Sequence, residues 1–108
     1  MDLTLISKEK LPVIQEKSIS VEAIEEKLIK YPYGCCIVIN EDGELCGCID
    51  LRDCKKGRDV VSIYKKGPFF RNVDEILAFP KKNKYILYPI VDECNRLACA
   101  YYWRDNYL

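Results

Sequence analysis

The side chains with the widest chemical reach in this sequence are seven cysteines, at Cys35, Cys36, Cys46, Cys48, Cys54, Cys94 and Cys99. A thiolate attacks electrophiles and binds soft metals, so the spacing decides what these residues can do. None of them stands as Cys-x-x-Cys, the spacing on which zinc ribbons and thioredoxin-type redox pairs depend. Histidine is absent altogether. That removes Ser-His-Asp and Cys-His catalysis, every His-containing zinc site, and the side chain that ordinarily titrates near neutrality. Five of the cysteines lie in apolar runs, CCIVI, LCGCI and RLACAYY, where a thiol packs as a small hydrophobe. An odd count and no signal-peptide pattern point to a reducing compartment, the cytoplasm. The alternative chemistry is a thiol or metal centre built from Cys35, Cys36, Cys46 and Cys48.

Carboxylates are the second candidates. Asp50 and Asp53 are three residues apart at the end of an apolar run, which does not place two acids on either side of a bond. Neither has a base or nucleophile beside it, so the expectation is a protein that is not an enzyme, with no catalytic residue and no metal.

The chain of 108 residues allows one domain that buries roughly 60 to 70% of its unfolded surface. An apolar fraction of 49% with 31% charged residues is that of a folded protein. The 17 basic and 17 acidic side chains cancel, which argues against nucleic acid as a partner. No stretch approaches 18 apolar residues, so no membrane span is expected. The neutrality is unevenly built: residues 1–54 hold 6 basic and 11 acidic side chains, net −5, and residues 55–108 hold 11 and 6, net +5. Unlike halves of this kind are expected to attract, within one chain or across a dimer.

The elements that must position these residues come from an internal repeat. A shift of 52 residues places Cys36–Asp53 over Tyr88–Asp105, with identities at Glu41/Glu93, Leu45/Leu97, Arg52/Arg104 and Asp53/Asp105. The same offset pairs Val21 with Val73, Glu22 with Asp74 and Ile24 with Ile76. Ser20 and Asn72 are N-cap residue types one step before Val21 and Val73. Glu75 follows Asn72 by three residues, close to a capping box, and Ile19 with Ile24 has the spacing of a hydrophobic staple. The first helix, VEAIEEKLIK, carries Val21, Ile24 and Leu28 on one face and stops at Pro32. The second, shortened by Pro80, is expected to use Val73, Ile76 and Leu77 as its face.

A hairpin follows each helix: residues 35–40 and 44–51 around Glu41-Asp42-Gly43, and residues 85–92 and 96–103 around Glu93-Cys94-Asn95. Gly43 aligns with Asn95, the two residue types that most readily accept positive φ. Short strands are expected before the helices, at Leu11–Ile14 and Val60–Tyr64. The unit reads strand, helix, strand, strand. Repeat one spans about residues 11–54 and repeat two about 60–107, within a single domain over 1–108.

Two such tandem units, each closing on an apolar strand and Arg-Asp, resemble a cystathionine-β-synthase (CBS) domain pair, here degenerate and minimal. The family's hairpin runs V-V-D-E-D-G-x-L-x-G-h-h-T-x-x-D, with h apolar; this chain has IVINEDGELCGCIDLRD and PIVDECNRLACAYYWRD. The resemblance implies an α+β fold of two tandem strand-helix-strand-strand repeats with pseudo-two-fold packing. It also implies a non-catalytic regulatory or sensing module that binds an adenosine nucleotide or related adenosyl ligand between the copies. Such a module has no resident cofactor. It would be the amino-terminal part of a larger protein, attached to an enzyme or transporter domain, and a homodimer.

Carried onto this sequence, the ribose-contacting positions are Asp53 and Asp105, and the phosphate-contacting positions are Asp50 and Tyr102. A carboxylate suits a diol. Asp50, however, places a negative charge where the family offers a hydroxyl, and Tyr102 carries its hydroxyl far out on a ring. Gly47 of copy one is Cys99 in copy two, so close backbone approach is expected only in copy one. Lys65, Lys66 or Arg71 could meet a phosphate at copy two, and copy one would favour an uncharged nucleoside-like group. The family's closing helix has no counterpart after the Asp of either copy: either it lies beyond the end in a longer protein, or the pair has lost it. Phe69, Phe70, Tyr101, Tyr102 and Trp103 could then form an apolar patch for a partner. The alternative reading is a degenerate pair that binds no small molecule and mediates dimerisation or docking. Tyr102 and Trp103 plugging the space between the copies would favour that alternative.

Overall fold

Capping chemistry sets where both helices begin. In the computed structural model, which describes residues 2–50, 69–79 and 87–104, the Ser20 hydroxyl accepts the Ala23 N–H at 3.1 Å and the Asn72 carboxamide oxygen accepts the Glu75 N–H at 3.0 Å. Helix α1 spans Val21–Lys30 and helix α2 spans Val73–Ala78. Glu75 reaches back to the Arg71 N–H at 2.9 Å, one residue beyond a true capping box. Each helix stops because the next residue precedes a proline and is driven extended: Tyr31 has φ −116° and ψ 134°, Phe79 φ −73° and ψ 134°.

The hairpins form as their turn residues require. Strands β3 (Cys35–Ile39) and β4 (Leu45–Asp50) pair antiparallel, as do β5 (Leu87–Val91) and β6 (Leu97–Arg104). Gly43 has φ 82° and Asn95 φ 61°, so both turns pass through the left-handed region at the aligned position. The Asn40 side chain accepts the N–H groups of Asp42 and Glu44, each at 2.9 Å; Asp92 does the same for Cys94 and Arg96 at 2.8 and 3.0 Å. Each ladder breaks register at the equivalent step, between Val38 and Ile39 and between Ile90 and Val91. The two copies thus repeat even in their irregularities.

Two three-stranded sheets result. One has the order β2-β3-β4, with β2 (Val13–Gln15) parallel to β3. The other is β1-β6-β5, in which β1 (Asp2–Ser7) pairs antiparallel with β6 from Asp2↔Arg104 to Ser7↔Cys99. The amino terminus therefore completes the sheet of the second copy. Sequence reading began the first unit at Leu11 and missed this strand. The first expected strand is displaced slightly, to Val13–Gln15, and the second, Val60–Tyr64, lies outside the described residues. In copy two the parallel bridge to β5 is made by Phe70, opposite Ile90, where copy one sets Ile14 opposite Val38. Ile14 stands seven residues before Val21 and Phe70 three before Val73. The shorter approach leaves no room for the 3-10 turn Glu16–Ser18 of copy one.

Three apolar clusters hold these layers. Under α1 lie Ile14, Ile24, Cys36, Val38 and Ile49. Under α2 lie Phe70, Ile76, Tyr88 and Ile90, with Phe70 and Phe79 rings edge-on at 5.2 Å. The shorter helix is matched by larger side chains, which bury more surface per residue. Leu77 was expected on this face but is 53% exposed. At about 100° per residue it lies about 40° from Val73 but about 100° from Ile76, the helix's buried residue, so it falls on the outer edge of the stripe. Between the sheets Leu11, Cys35, Ile37 and Ile39 of copy one meet Leu87, Leu97 and Ala100 of copy two.

Candidate functional site between the copies

The two sheets join at their turns by a symmetric pair of backbone bonds. Leu45 N–H donates to the Asn95 carbonyl at 2.9 Å and Leu97 N–H donates to the Gly43 carbonyl at 3.0 Å. Glu44 and Arg96 form the antiparallel bridge between them. The offset of 52 relates both partners, so this clasp marks the pseudo-two-fold axis. The predicted site positions fall in equivalent register farther along the strands: Asp50 opposite Cys35 on β3, and Tyr102 opposite Leu87 on β5. Gly47 is buried in β4 opposite Val38. Asp53 and Asp105 lie outside the described residues, as do Lys65 and Lys66.

Tyr102 turns toward the inter-sheet core. Its ring meets Tyr33, from the segment before β3, at a centroid separation of 5.0 Å and an angle of 60°. Both rings are half-buried and pack on the cluster shared by the copies. Trp103 faces the other way and packs under α2, its Nε1–H buried with no acceptor among the described residues. Of the pair Tyr102 and Trp103, only Tyr102 therefore lies on the inter-sheet side, and its ring partner there is Tyr33. Phe70 is core and Phe69 is 50% exposed, which divides the expected aromatic patch.

Sequence reading did not single out Tyr33. Its signal was an aromatic residue just before Gly34, whose φ of 72° turns the chain from α1 into β3. Nor was the role of Arg71 legible. Its guanidinium donates to the Asp92 carbonyl at 2.9 Å and to Asn95 Oδ1 at 3.2 Å, tying the approach to α2 onto the second turn. Two of its nitrogens are thereby engaged before any phosphate arrives. N–H groups of Arg96 and then Cys94 hold the Asp92 carboxyl below the usual aspartate range, helped by the positive charges of Arg96 and Arg71.

Desolvation governs the thiols. Cys48 is half-buried as a residue, but its sulfur sits against the inter-sheet core and burial pushes the thiol up to about 12. Cys99 is raised by the same cause. These groups stay protonated at neutral pH and are poor nucleophiles. Cys35 and Cys36 are buried and Cys94 is exposed on the second turn. Cys54 lies outside the described residues. Among the described residues no group of three or more Cys, Asp or Glu is placed to hold a metal ion, and no helix is long and apolar enough to cross a membrane.

Solved structures place this architecture. The CBS domains of a transcriptional regulator from Streptococcus pneumoniae superpose with a TM-score of 0.75 over 89% of this chain and 86% of that one, at 14% identity. A CBS domain pair in complex with 5′-methylthioadenosine and S-adenosyl-L-methionine gives 0.68 over 88% and 90%, at 21% identity. The protein CBSX2 in complex with AMP gives 0.69 over 89% and 84%, at 18% identity. No protein-family model and no curated protein sequence matches the chain. The fold is that of a tandem CBS pair, α+β with two repeats about a pseudo-two-fold axis.

Proposed function

We propose that this chain is a non-catalytic regulatory module that senses an adenosyl ligand at the seam between its two copies. The observation that carries the reading is the seam itself: two sheets facing across one shared core, clasped about a pseudo-two-fold axis. Pairs of this shape are found with 5′-methylthioadenosine, S-adenosyl-L-methionine and AMP. Gly47, Asp50 and Asp53 would serve the ligand at copy one; Tyr102 and Asp105 hold the equivalent positions of copy two. On this reading residues 1–108 are one domain, with repeats at about 11–54 and 60–107, in a larger cytoplasmic protein that works as a homodimer. A ligand that favours one packing of the halves would signal through it.

A panel of 5′-methylthioadenosine, S-adenosyl-L-methionine, AMP and ATP tests this by thermal unfolding. A ligand at about tenfold excess over its Kd stabilises the folded state by about 1.4 kcal/mol, which raises the midpoint by about 6 °C for a domain of this size. No shift with any of the four at millimolar concentration removes the sensor reading. The docking module then stands in its place, a reading favoured by the Tyr33–Tyr102 contact and by the exposure of Phe69 and Leu77.

A further inference from the structure

We infer that Tyr102, held against Tyr33, closes one of the two equivalent rims of the seam, so that the chain takes one ligand where its symmetry would offer two. The inference rests on the sensor reading for its ligand and on geometry for the closure. A two-fold axis duplicates every site near it, and here the duplication extends to turns, bulges and clasp. A difference in occupancy must therefore come from residues that break the repeat. Along the facing strands one such position is 50 and 102, which share a register, Cys35↔Asp50 and Leu87↔Tyr102, but not a residue type.

The phenol ring does more than differ in size. It crosses from copy two to a ring of copy one, 5.0 Å away, and both rings rest on the inter-sheet core. A planar ligand entering at this rim would have to part the rings and lift Tyr102 from that core. The opposite rim carries a short carboxylic residue at the same register position and so favours an uncharged ligand over a phosphorylated one.

Isothermal titration with 5′-methylthioadenosine, an uncharged probe, separates the outcomes. The parent chain is expected to take one equivalent and Tyr102→Thr two, while Tyr102→Phe, which keeps the ring, stays at one. Far-ultraviolet circular dichroism checks that each variant is folded. Should Tyr102→Thr fail that check, Tyr33→Thr removes the other ring and is expected to give the same second equivalent. A parent that already takes two, or a folded ring-removing variant that takes no more than the parent, overturns the closure. A parent that takes none beside a variant that takes one leaves the closure standing and refutes the sensor reading alone.

Discussion

Asp92 shows how one side chain carries both structure and pH dependence. Its Oδ1 accepts two backbone N–H groups of the second turn, and its carboxyl is held below the usual aspartate range by those bonds and by Arg96 and Arg71. A depressed folded-state pKa contributes stability that is present above the unfolded value near 3.8 and is lost as pH falls through the folded value. Copy one makes the same turn with Asn40, which accepts its two N–H groups at 2.9 Å without a charge. Asp92→Asn should therefore keep the turn but remove its titration. Urea unfolding from about pH 2 to pH 6 is expected to show a shallower acid decline for the variant than for the parent. Superimposable pH profiles would disprove the assignment. Residues of this kind were legible in the sequence because a turn is local: Asn, Asp and Gly satisfy or relax their own backbone wherever the rest of the chain lies. Tyr33 and Arg71 were not, since each acts on a residue distant in sequence, Tyr102 and Asn95, and nothing beside them announces the partner.

Strand β1 is the corresponding case among elements. Caps and prolines bounded both helices, because those signals sit within a turn of what they control. Leu3 and Ile6 instead find their surroundings across the chain, packing on the clusters built around β6 and β5. The repeat at offset 52 also passes over this strand. A second offset, 57, pairs Asp2, Ile6 and Lys8 with Asp59, Ile63 and Lys65, and was the sequence signal for it. The shorter run between Phe70 and Val73 moves the register in the same direction, since the strand residues that play one role, Ile14 and Phe70, are 56 apart. Since β1 pairs with β6 from Cys99 to Arg104, removing residues 1–7 uncovers a row of unpaired backbone groups and withdraws Leu3 and Ile6. The truncated chain is expected to lose at least about 3 kcal/mol of stability in urea and to self-associate on gel filtration. A monomer with an unchanged midpoint would show that β1 is dispensable.

At the scale of the whole molecule the question is what joins the copies. Their net charges, −5 and +5 by halves of the sequence, suggest attraction between them. The described contacts across the seam are of another kind: a cluster that includes Ile37, Ile39, Leu87, Leu97 and Ala100, and two backbone hydrogen bonds. The ion pair of Lys17 with Glu41 lies inside copy one, with side chains 71% and 61% exposed, and the Arg71 contacts lie inside copy two. Exposed pairs contribute about 0 to 1 kcal/mol, whereas truncating a fully buried Ile to Ala costs about 2 to 5 kcal/mol. Apolar burial should therefore decide the union of the copies. Raising salt from about 0.1 M to about 1 M shortens the Debye length from about 10 Å to about 3 Å, and is expected to change the unfolding free energy in urea by less than about 1 kcal/mol. Ile37→Ala, which opens a space at a side chain with no exposure, should lower it by about 2 to 5 kcal/mol at either salt concentration. A loss on adding salt that rivals the Ile37 loss would return the charges to the leading role, and would make the opposite halves of this chain its principal fastening.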